Sequence, residues 1–254
     1  MLHQDFSWWS FYFMPIPKGY ISFYICSMAI ILNIETATTN CSVSIAENGK
    51  LLALKEFNSA NYSHAEQLHV FIDDVLKQAA KTNSNLDAIA VSKGPGSYTG
   101  LRIGVSAAKG LCFALDVPLI SIPTLINLAH QIKPEENEAI VSVLDARRME
   151  VYSAIFNSDF NQIKETEAKI IDEASYQEEI NQFKKVHFIG PGAEKIKETL
   201  SNSNAEFWTD AIPSAKEMCQ LSYKEYIAGI FEDVAYFEPY YLKDFMIQKP
   251  KASK

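Results

Sequence analysis

The chain has 254 residues, of which 48% are hydrophobic and 21% are charged. Such values are ordinary for a globular protein that buries a substantial core, as one large domain or two small lobes. The 23 Lys and Arg residues against 31 Asp and Glu give a formal net charge of −8. This balance argues against a protein that holds nucleic acid by its own electrostatics, because phosphate binding needs a basic face. It leaves open work on RNA beside a basic partner.

The cysteine content and the first 27 residues give information on the cellular location of the protein. The four cysteines form no CxxC pair, which excludes a disulfide scaffold and predicts a cytoplasmic protein. Residues 1–27 hold nine aromatic and only two charged residues, without the basic start of a signal peptide. The apolar run at 20–34 is shorter than the ~20 residues of a membrane helix. We therefore expect translation to begin at Met28 and no membrane association; a membrane-proximal anchor is the alternative.

The pattern beyond Met28 predicts three strands, a helix, a strand and a second helix. The predicted strands lie at 29–35, 41–46, 50–57 and 86–91, and the helices at 63–81 and 100–115. Asn48-Gly49 is a strong hairpin signal between the second and third strands. Ser63 and Glu66 form a capping box, after which apolar residues recur at helical spacing.

A second set of strands and helices is predicted from residue 138 onward, with weaker sequence signals. Strands are predicted at 138–146, 149–156, 163–171 and 186–189, helices at 174–183, 193–201 and 214–229, and an extended segment at 236–242. Hairpin-linked strands followed by a right-handed crossover match one lobe of an actin-like, ribonuclease-H-like (ASKHA) protein. We therefore predict a two-lobed α/β fold with mixed sheets flanked by helices. The N-terminal lobe is expected at 28–133, the C-terminal lobe at 134–235 and a tail at 236–254.

The segment Gly94-Pro-Gly-Ser-Tyr-Thr-Gly-Leu-Arg-Ile-Gly is the most informative one. A glycine-rich turn between a strand and a helix can hold an anion, or it can simply be a tight structural turn. It is neither a Walker loop nor a GxGxxG fingerprint. Arg102 opposes the helix dipole by ~0.3–1 kcal/mol, which is better explained if it meets an acid or a phosphate. The candidate phosphate-loop-like residues are Glu35, Thr36, Gly94, Gly96, Ser97, Thr99, Gly100 and Arg102.

The helix after this turn carries a stripe of small residues. Gly100, Gly104, Ala108 and Cys112 follow one another at four-residue intervals. An interior glycine costs ~1 kcal/mol relative to alanine, so another backbone is expected close to this stripe. That neighbour is either the protein's own sheet or a helix of another subunit packed along i±4 ridges. In the second case the helix at 63–81 is the natural companion in the interface.

Several of these motifs together resemble the TsaB (YeaZ) family, from about Met28 to Phe245. The resemblance rests on residues 31–38, Cys41-Ser-Val-Ser-Ile, Ser63-His-Ala-Glu-Gln-Leu, the glycine segment, Leu144-Asp-Ala-Arg-Arg-Met-Glu-Val-Tyr and Glu238-Pro-Tyr-Tyr-Leu-Lys. It implies a bacterial cytoplasmic protein with the actin-like fold, which starts where Met28 stands. The family pairs with TsaD, the transferase that places a threonylcarbamoyl group on the adenosine 3′ of the anticodon in tRNAs reading codons that begin with A.

The resemblance also implies partners and an interface. The ATPase TsaE joins the complex, a TsaC-type synthase supplies threonylcarbamoyl-AMP, and tRNA is contacted only through the complex. The family has no known chemistry of its own in this step, and it can form homodimers through the same helical face that binds TsaD. No intrinsic cofactor is implied beyond weak ATP or ADP binding at the partner interface. The expected interface residues are His64, Glu66, Leu68, Phe71, Gly100, Gly104, Ala108, Leu111 and Cys112.

Two catalytic functions are alternatives to a binding subunit. A glycoprotease-like metallopeptidase needs two histidines one helical turn apart, whereas His64 and His69 are five residues apart and diverge by ~140°. An actin-like ATPase or kinase needs a second glycine-rich phosphate loop. The segment Asp145-Ala-Arg-Arg-Met at that place has no glycine, and Glu35 stands where the family usually has Asp. We therefore expect no metal, no catalytic residue and an accessory role.

Overall fold

The computed structural model describes residues 28–59, 64–146, 148–200 and 202–243. The leader at 1–27, Ser63 of the expected capping box and Arg147 lie outside these ranges. Translation from Met28 therefore stays a prediction.

The first lobe is built on a five-stranded sheet in the order β3-β2-β1-β4-β5. Its strands are β1 (Ile30–Glu35), β2 (Asn40–Glu47), β3 (Lys50–Asn58), β4 (Ala88–Gly94) and β5 (Leu119–Pro123), and its helices are α1 (His64–Gln78), α2 (Tyr98–Leu115) and α3 (Thr124–Ala129). The first three strands are antiparallel, and β4 and β5 run parallel to β1. The central strands β1 and β4 are almost continuously buried because helices cover both faces of the sheet.

The second sheet repeats this arrangement in the order β8-β7-β6-β9-β10. Its strands are β6 (Glu138–Asp145), β7 (Glu150–Asn157), β8 (Gln162–Ile170), β9 (Lys185–Ile189) and β10 (Ala205–Trp208), and the remaining helices are α4 (Gln177–Gln182), α5 (Ala193–Thr199) and α6 (Ala215–Ala228). Again three antiparallel strands are followed by two parallel ones beside the first. The predicted two-lobed α/β fold with mixed sheets is confirmed.

Helices α1 and α2 cover one face of the first sheet, and α6 covers the other. The prediction that residues 134–235 form the second lobe is therefore wrong for α6. The chain returns from β10 to the first lobe, where Ala215 and Met218 pack in one cluster with Ile31 and Ile120. This apolar face of α6 is buried against β1 and β5, so its place is set by long-range packing rather than by chain order.

A buried polar cluster fixes α6 on the sheet. The Ser222 hydroxyl donates to Asn33 Oδ1 at 2.6 Å, and Asn33 Nδ2 donates to Ser44 Oγ at 3.2 Å. Ser44 in turn donates to the carbonyl of Ala215 at 2.7 Å. Because the three side chains are fully buried, each needs a partner, and together they select one register of α6 over β1 and β2.

The chain beyond α6 follows the first lobe without regular structure. The Glu232 amide donates to the carbonyl of Leu119 at 2.9 Å, and the Tyr240 amide donates to that of Lys93 at 2.7 Å. Lys109 on α2 donates to the carbonyls of Ala235 and Phe237. None of the helices in the described ranges has the length and hydropathy needed to cross a membrane.

Replacing Ser222 by Ala should lower the free energy of unfolding by about 1–3 kcal/mol, because it leaves the buried Asn33 Oδ1 without its donor. Urea unfolding measures the change. Ser203→Ala, at an exposed position of the second lobe, is the control and should stay within ±0.5 kcal/mol of the parent. Equal midpoints for the two variants would contradict the anchoring role of the cluster.

Candidate functional site

Glu35 at the end of β1 is fully buried. Its carboxylate accepts the Ala37 amide at 2.7 Å and Asn127 Nδ2 at 2.9 Å. Burial raises the pKa of Glu35 to about 7, although these hydrogen bonds act in the opposite direction. Asn127 also donates to the carbonyl of Ser214 at 3.0 Å. The acid predicted for a phosphate-binding loop therefore ties β1 to α3 and to the segment that leads into α6.

The glycine-rich turn lies directly against this first loop. A Cβ atom built on Gly96 would stand 2.4 Å from the carbonyl oxygen of Ala37, and one on Gly100 would stand 2.1 Å from that of Thr36. The Ser97 amide donates to the Ala37 carbonyl at 2.7 Å, and the Ser97 hydroxyl caps α2 by accepting the Gly100 amide at 3.3 Å. This close approach of the two backbones requires glycine at positions 96 and 100. The geometry thus fits the structural turn rather than the anion site.

Gly94 and Arg102 complete this account of the turn. Gly94 has φ +112°, and a Cβ atom there would stand 2.6 Å from the Tyr240 carbonyl oxygen. Arg102 is exposed and donates to the Tyr98 hydroxyl at 2.8 Å, one helical turn away. Besides this phenol, the Arg102 guanidinium interacts electrostatically with Tyr241 and with the carboxylate of Glu238. An acid therefore lies near Arg102, as expected, and contact with a phosphate stays a prediction. Thr99 is exposed beside it.

The stripe of small residues on α2 faces the protein's own sheet. Thr36 Oγ1 donates to the Gly100 carbonyl at 2.8 Å. A Cβ atom on Gly104 would stand 2.2 Å from Thr36 Oγ1. Ala108 and Cys112 continue the stripe into the first-lobe core. Of the two neighbours considered for this stripe, the internal one is correct.

Seven of the nine expected interface residues are consequently buried in the lobe itself. They are His64, Leu68, Phe71, Gly100, Gly104, Ala108 and Cys112. His64 Nε2 lies 2.8 Å from the Thr38 carbonyl oxygen. Only Glu66, which is exposed, and Leu111, which is half-buried, remain at the surface. The faces of α1 and α2 that carry the buried seven pack on the sheet, which places these side chains inside the lobe rather than on a partner surface. Leu68 is the exception, because it also lines the space between the two helices.

The outward faces of the same two helices enclose an open groove of about 760 Å³. Its walls come from small and apolar side chains, with His69 and Arg102 as polar members. The lining residues are Ala65, Leu68, His69, Tyr98, Thr99, Arg102, Ile103, Ser106, Ala107, Gly110 and Leu111. Beside the groove elements, Val70 is 53% and Phe113 is 86% exposed. The spacing of Thr99, Ile103, Ser106 and Gly110 marks a second helical face that the sequence analysis passed over.

Comparisons with known proteins place the chain in a family. Residues 58–249 match the family model described as TsaD, tRNA N6-adenosine threonylcarbamoyltransferase. The chain belongs to this family. A transferase of the family from Staphylococcus saprophyticus is 32% identical over 163 residues, which are 57% of this chain but only 48% of the transferase.

Within the TsaD family, the predicted resemblance to TsaB (YeaZ) is confirmed. The tRNA threonylcarbamoyladenosine biosynthesis protein TsaB of Escherichia coli is 27% identical over 230 residues, 88% of this chain and 99% of that protein. TsaB of Haemophilus influenzae is 29% identical over 84% of this chain and 93% of its own length. The structure of YeaZ from Pseudomonas aeruginosa shares the fold, with a TM-score of 0.73 at 23% identity over 85% of this chain and all of that one.

In the second lobe of this TsaD-family chain, Lys195 joins the residues on either side of the β6–β7 connection. Asp145 Oδ1 accepts Lys195 Nζ at 2.8 Å, and Lys195 also donates to the Glu150 carbonyl at 3.1 Å. A Cβ atom on Gly190 would stand 2.2 Å from the Val143 carbonyl oxygen. The Gly190-Pro-Gly192 segment is therefore a packing turn against β6.

The described part of the chain also bears on metal and thiol chemistry. It contains no group of three or more His, Cys, Asp or Glu side chains placed to hold a metal ion. His64 is buried whereas His69 is exposed, so the two do not share a site. Cys41 and Cys112 are buried, and burial raises the pKa of their thiols to about 11 and about 12. The raised pKa keeps both thiols in the protonated, less nucleophilic form.

Glu35→Gln should change the pH dependence of stability. The pKa of the Glu35 carboxyl is about 7 in the folded state and 4.5 in the unfolded chain. This carboxyl therefore leaves the free energy of unfolding unchanged below pH 4.5 and lowers it progressively between pH 4.5 and 7, because only the unfolded chain releases the proton easily. The total reduction is about 3 kcal/mol. Glutamine does not ionise, so the stability of the variant relative to the parent should rise between pH 5 and 7.5. Urea unfolding at several pH values would contradict this if the two profiles stayed parallel.

Two glycine substitutions on α2 should act in opposite directions. Gly100→Ala forces a methyl group against the Thr36 carbonyl oxygen and should lower the free energy of unfolding by about 1–3 kcal/mol. Gly110→Ala meets nothing within 4 Å and should raise it by up to about 1 kcal/mol through helix propensity. Thermal and urea unfolding measure both. A neutral Gly100→Ala would show that the stripe does not need close packing on the sheet.

Proposed function

We propose that this chain is the accessory, activating subunit that pairs with a TsaD-type transferase. It takes part in tRNA threonylcarbamoyladenosine biosynthesis, as the names of its TsaB relatives say of those proteins. The subunit supports transfer of threonylcarbamoyl to the adenosine 3′ of the anticodon in tRNAs that read codons beginning with A. The observation that carries the proposal is the open groove between α1 and α2 on a chain that spans nearly the whole of TsaB but about half of a transferase.

The groove has the composition of a helix-packing surface. Gly110, Ser106 and Ala107 are small, so a helix of a partner could approach the backbone of α2 closely. Ile103 offers apolar area within the groove, and Phe113 offers more on α2 outside it. Exposed apolar side chains beside a groove with small residues favour a protein partner.

The partner is inferred from the shared lobe. Transferases of the family match this chain over about half of their own length, so they carry a related lobe. Two related lobes can pair through equivalent helical faces in a nearly two-fold arrangement. A second copy of this chain would use the same face, which supports a homodimer as the resting form and the transferase as the working partner.

The surroundings of Glu35 and of the glycine turn support an accessory role. Glu35 is sealed by its own hydrogen bonds, and the glycine turn lies directly against the backbone of the first loop. Weak binding of ATP or ADP would therefore fall at the partner interface, not inside the lobe. The net charge of −8 supports tRNA contact through the complex, in which TsaE and a TsaC-type synthase act in the same pathway.

Gly110→Arg tests the groove without disturbing the fold, because the position opens onto free space. A charged side chain buried in an apolar interface should weaken binding to the organism's TsaD at least about tenfold. Modification of tRNA by TsaD, TsaE and the synthase should fall to the level seen without this chain. Ser203→Arg, exposed on the second lobe, carries the same charge and should keep both binding and activity.

Binding is measured by titration calorimetry and modification by the incorporation of labelled threonine into tRNA. Circular dichroism and melting temperature confirm that Gly110→Arg is folded. Unchanged binding of Gly110→Arg would place the partner on another surface. Full tRNA modification without this chain would end the assignment of an activating subunit.

A further inference from the structure

The segment after α6 touches both lobes. Its Tyr240 amide donates to the carbonyl of Lys93 at the end of β4. The ring of Tyr241 packs on that of Tyr98 at the start of α2, with centroids 4.9 Å apart. Two residues later, Lys243 pairs with Glu150 at the start of β7 in the second lobe. The segment thus runs from the glycine turn of one lobe to the start of β7 in the other.

These contacts differ from the main junction of the lobes. That junction is apolar, because Leu125 and Leu128 of α3 pack in one buried cluster with Ile140 and Leu144 of β6. The described contacts of residues 240–243 instead include a backbone hydrogen bond, a ring pair, a polar interaction between Tyr241 and Arg102, and an ion pair whose side chains are 47% and 19% exposed. Each is weak by itself, so the segment can separate from the lobes while the core stays folded.

The site where Tyr241 packs on Tyr98 is also one end of the groove. Tyr98, Thr99 and Arg102 line the groove at the first turn of α2. Arg102 donates to the Tyr98 hydroxyl at 2.8 Å, and the ring of Tyr241 packs on the ring of the same tyrosine. A displacement of the second lobe that moved Lys243 would therefore shift the position of Tyr98, which lines the groove.

We propose that residues 237–243 form a strap that ties the start of β7 in the second lobe to the glycine turn and the first turn of α2 in the first lobe. The strap is held at one end by Phe237, whose carbonyl accepts Lys109 Nζ at 2.9 Å and whose side chain packs on the first-lobe core. It is released from the other end, at Lys243. Only its consequence for a partner in the groove rests on the proposed function; the strap itself is a property of the isolated chain.

Amide hydrogen exchange of the full chain, without any partner, tests the strap. The variant Tyr241→Ala/Lys243→Ala removes the ring pair and the ion pair but keeps Phe237. Exchange should accelerate about tenfold or more in peptides over both 94–102 and 146–151, one from each lobe, and stay unchanged in α4. The control Tyr236→Ala/Lys50→Ala removes an 85% exposed tyrosine of the same segment and an exposed lysine of β3. It should leave all of these peptides unchanged.

Three results would overturn the proposal: acceleration confined to the tail peptide, acceleration in only one lobe, or equal effects of variant and control. If the variant exchanges faster everywhere, the single change Glu150→Gln decides, because it leaves the tail and its ring contact intact. Faster exchange of the tail peptide and of 94–102 in Glu150→Gln supports the strap, whereas unchanged exchange there overturns it. A TsaD that fails to bind the parent chain would contradict the proposed function without altering either result.

Discussion

The close approach between the backbone of α2 and the turn after β1 is the contact on which the rest of the structure depends. Thr36 occupies the space that side chains at Gly100 and Gly104 would fill. This fixes the rotation of α2 about its axis, since one narrow face must meet the turn. The opposite face, with Ile103, Ser106 and Gly110, is then directed outward beside α1 and forms the groove. The surface proposed for a partner is therefore a consequence of internal glycine packing.

The same contact brings the polar groups of the first loop and of the glycine turn against one another. The Ala37 carbonyl takes the Ser97 amide, and the Glu35 carboxyl is shared between the Ala37 amide and Asn127. Groups that could surround a phosphate instead hold β1, α2 and α3 together. An acid buried in this way loses access to a ligand but gains a structural role at the junction with α6. The lobe is thus organised for stability and docking.

Elements stabilised by local interactions could be predicted from the sequence, whereas those placed by contacts between distant residues could not. The hairpin strands, the helices at α1 and α2 and the repeated lobe have local signals in Asn48-Gly49, in apolar periodicity and in the glycine turn. The short elements β5, α3 and β10 have few residues and weak signals, and they were missed. The stripe on α2 shows that a backbone lies close but not which one, because small residues serve internal and external packing equally. The placement of α6 depends on contacts with β1, which is distant in sequence.

The account's central claim is that the outward face of α2 docks on a TsaD-type transferase. The most direct measurement replaces Ser106 with a photoreactive benzophenone amino acid, with the same replacement at the exposed Ser203 as a reference, and irradiates each chain with the transferase. The account predicts a covalent adduct that joins position 106 to a helix of the transferase, and none from position 203. A stable complex that gives no adduct at position 106, or equal adducts at both positions, would contradict it.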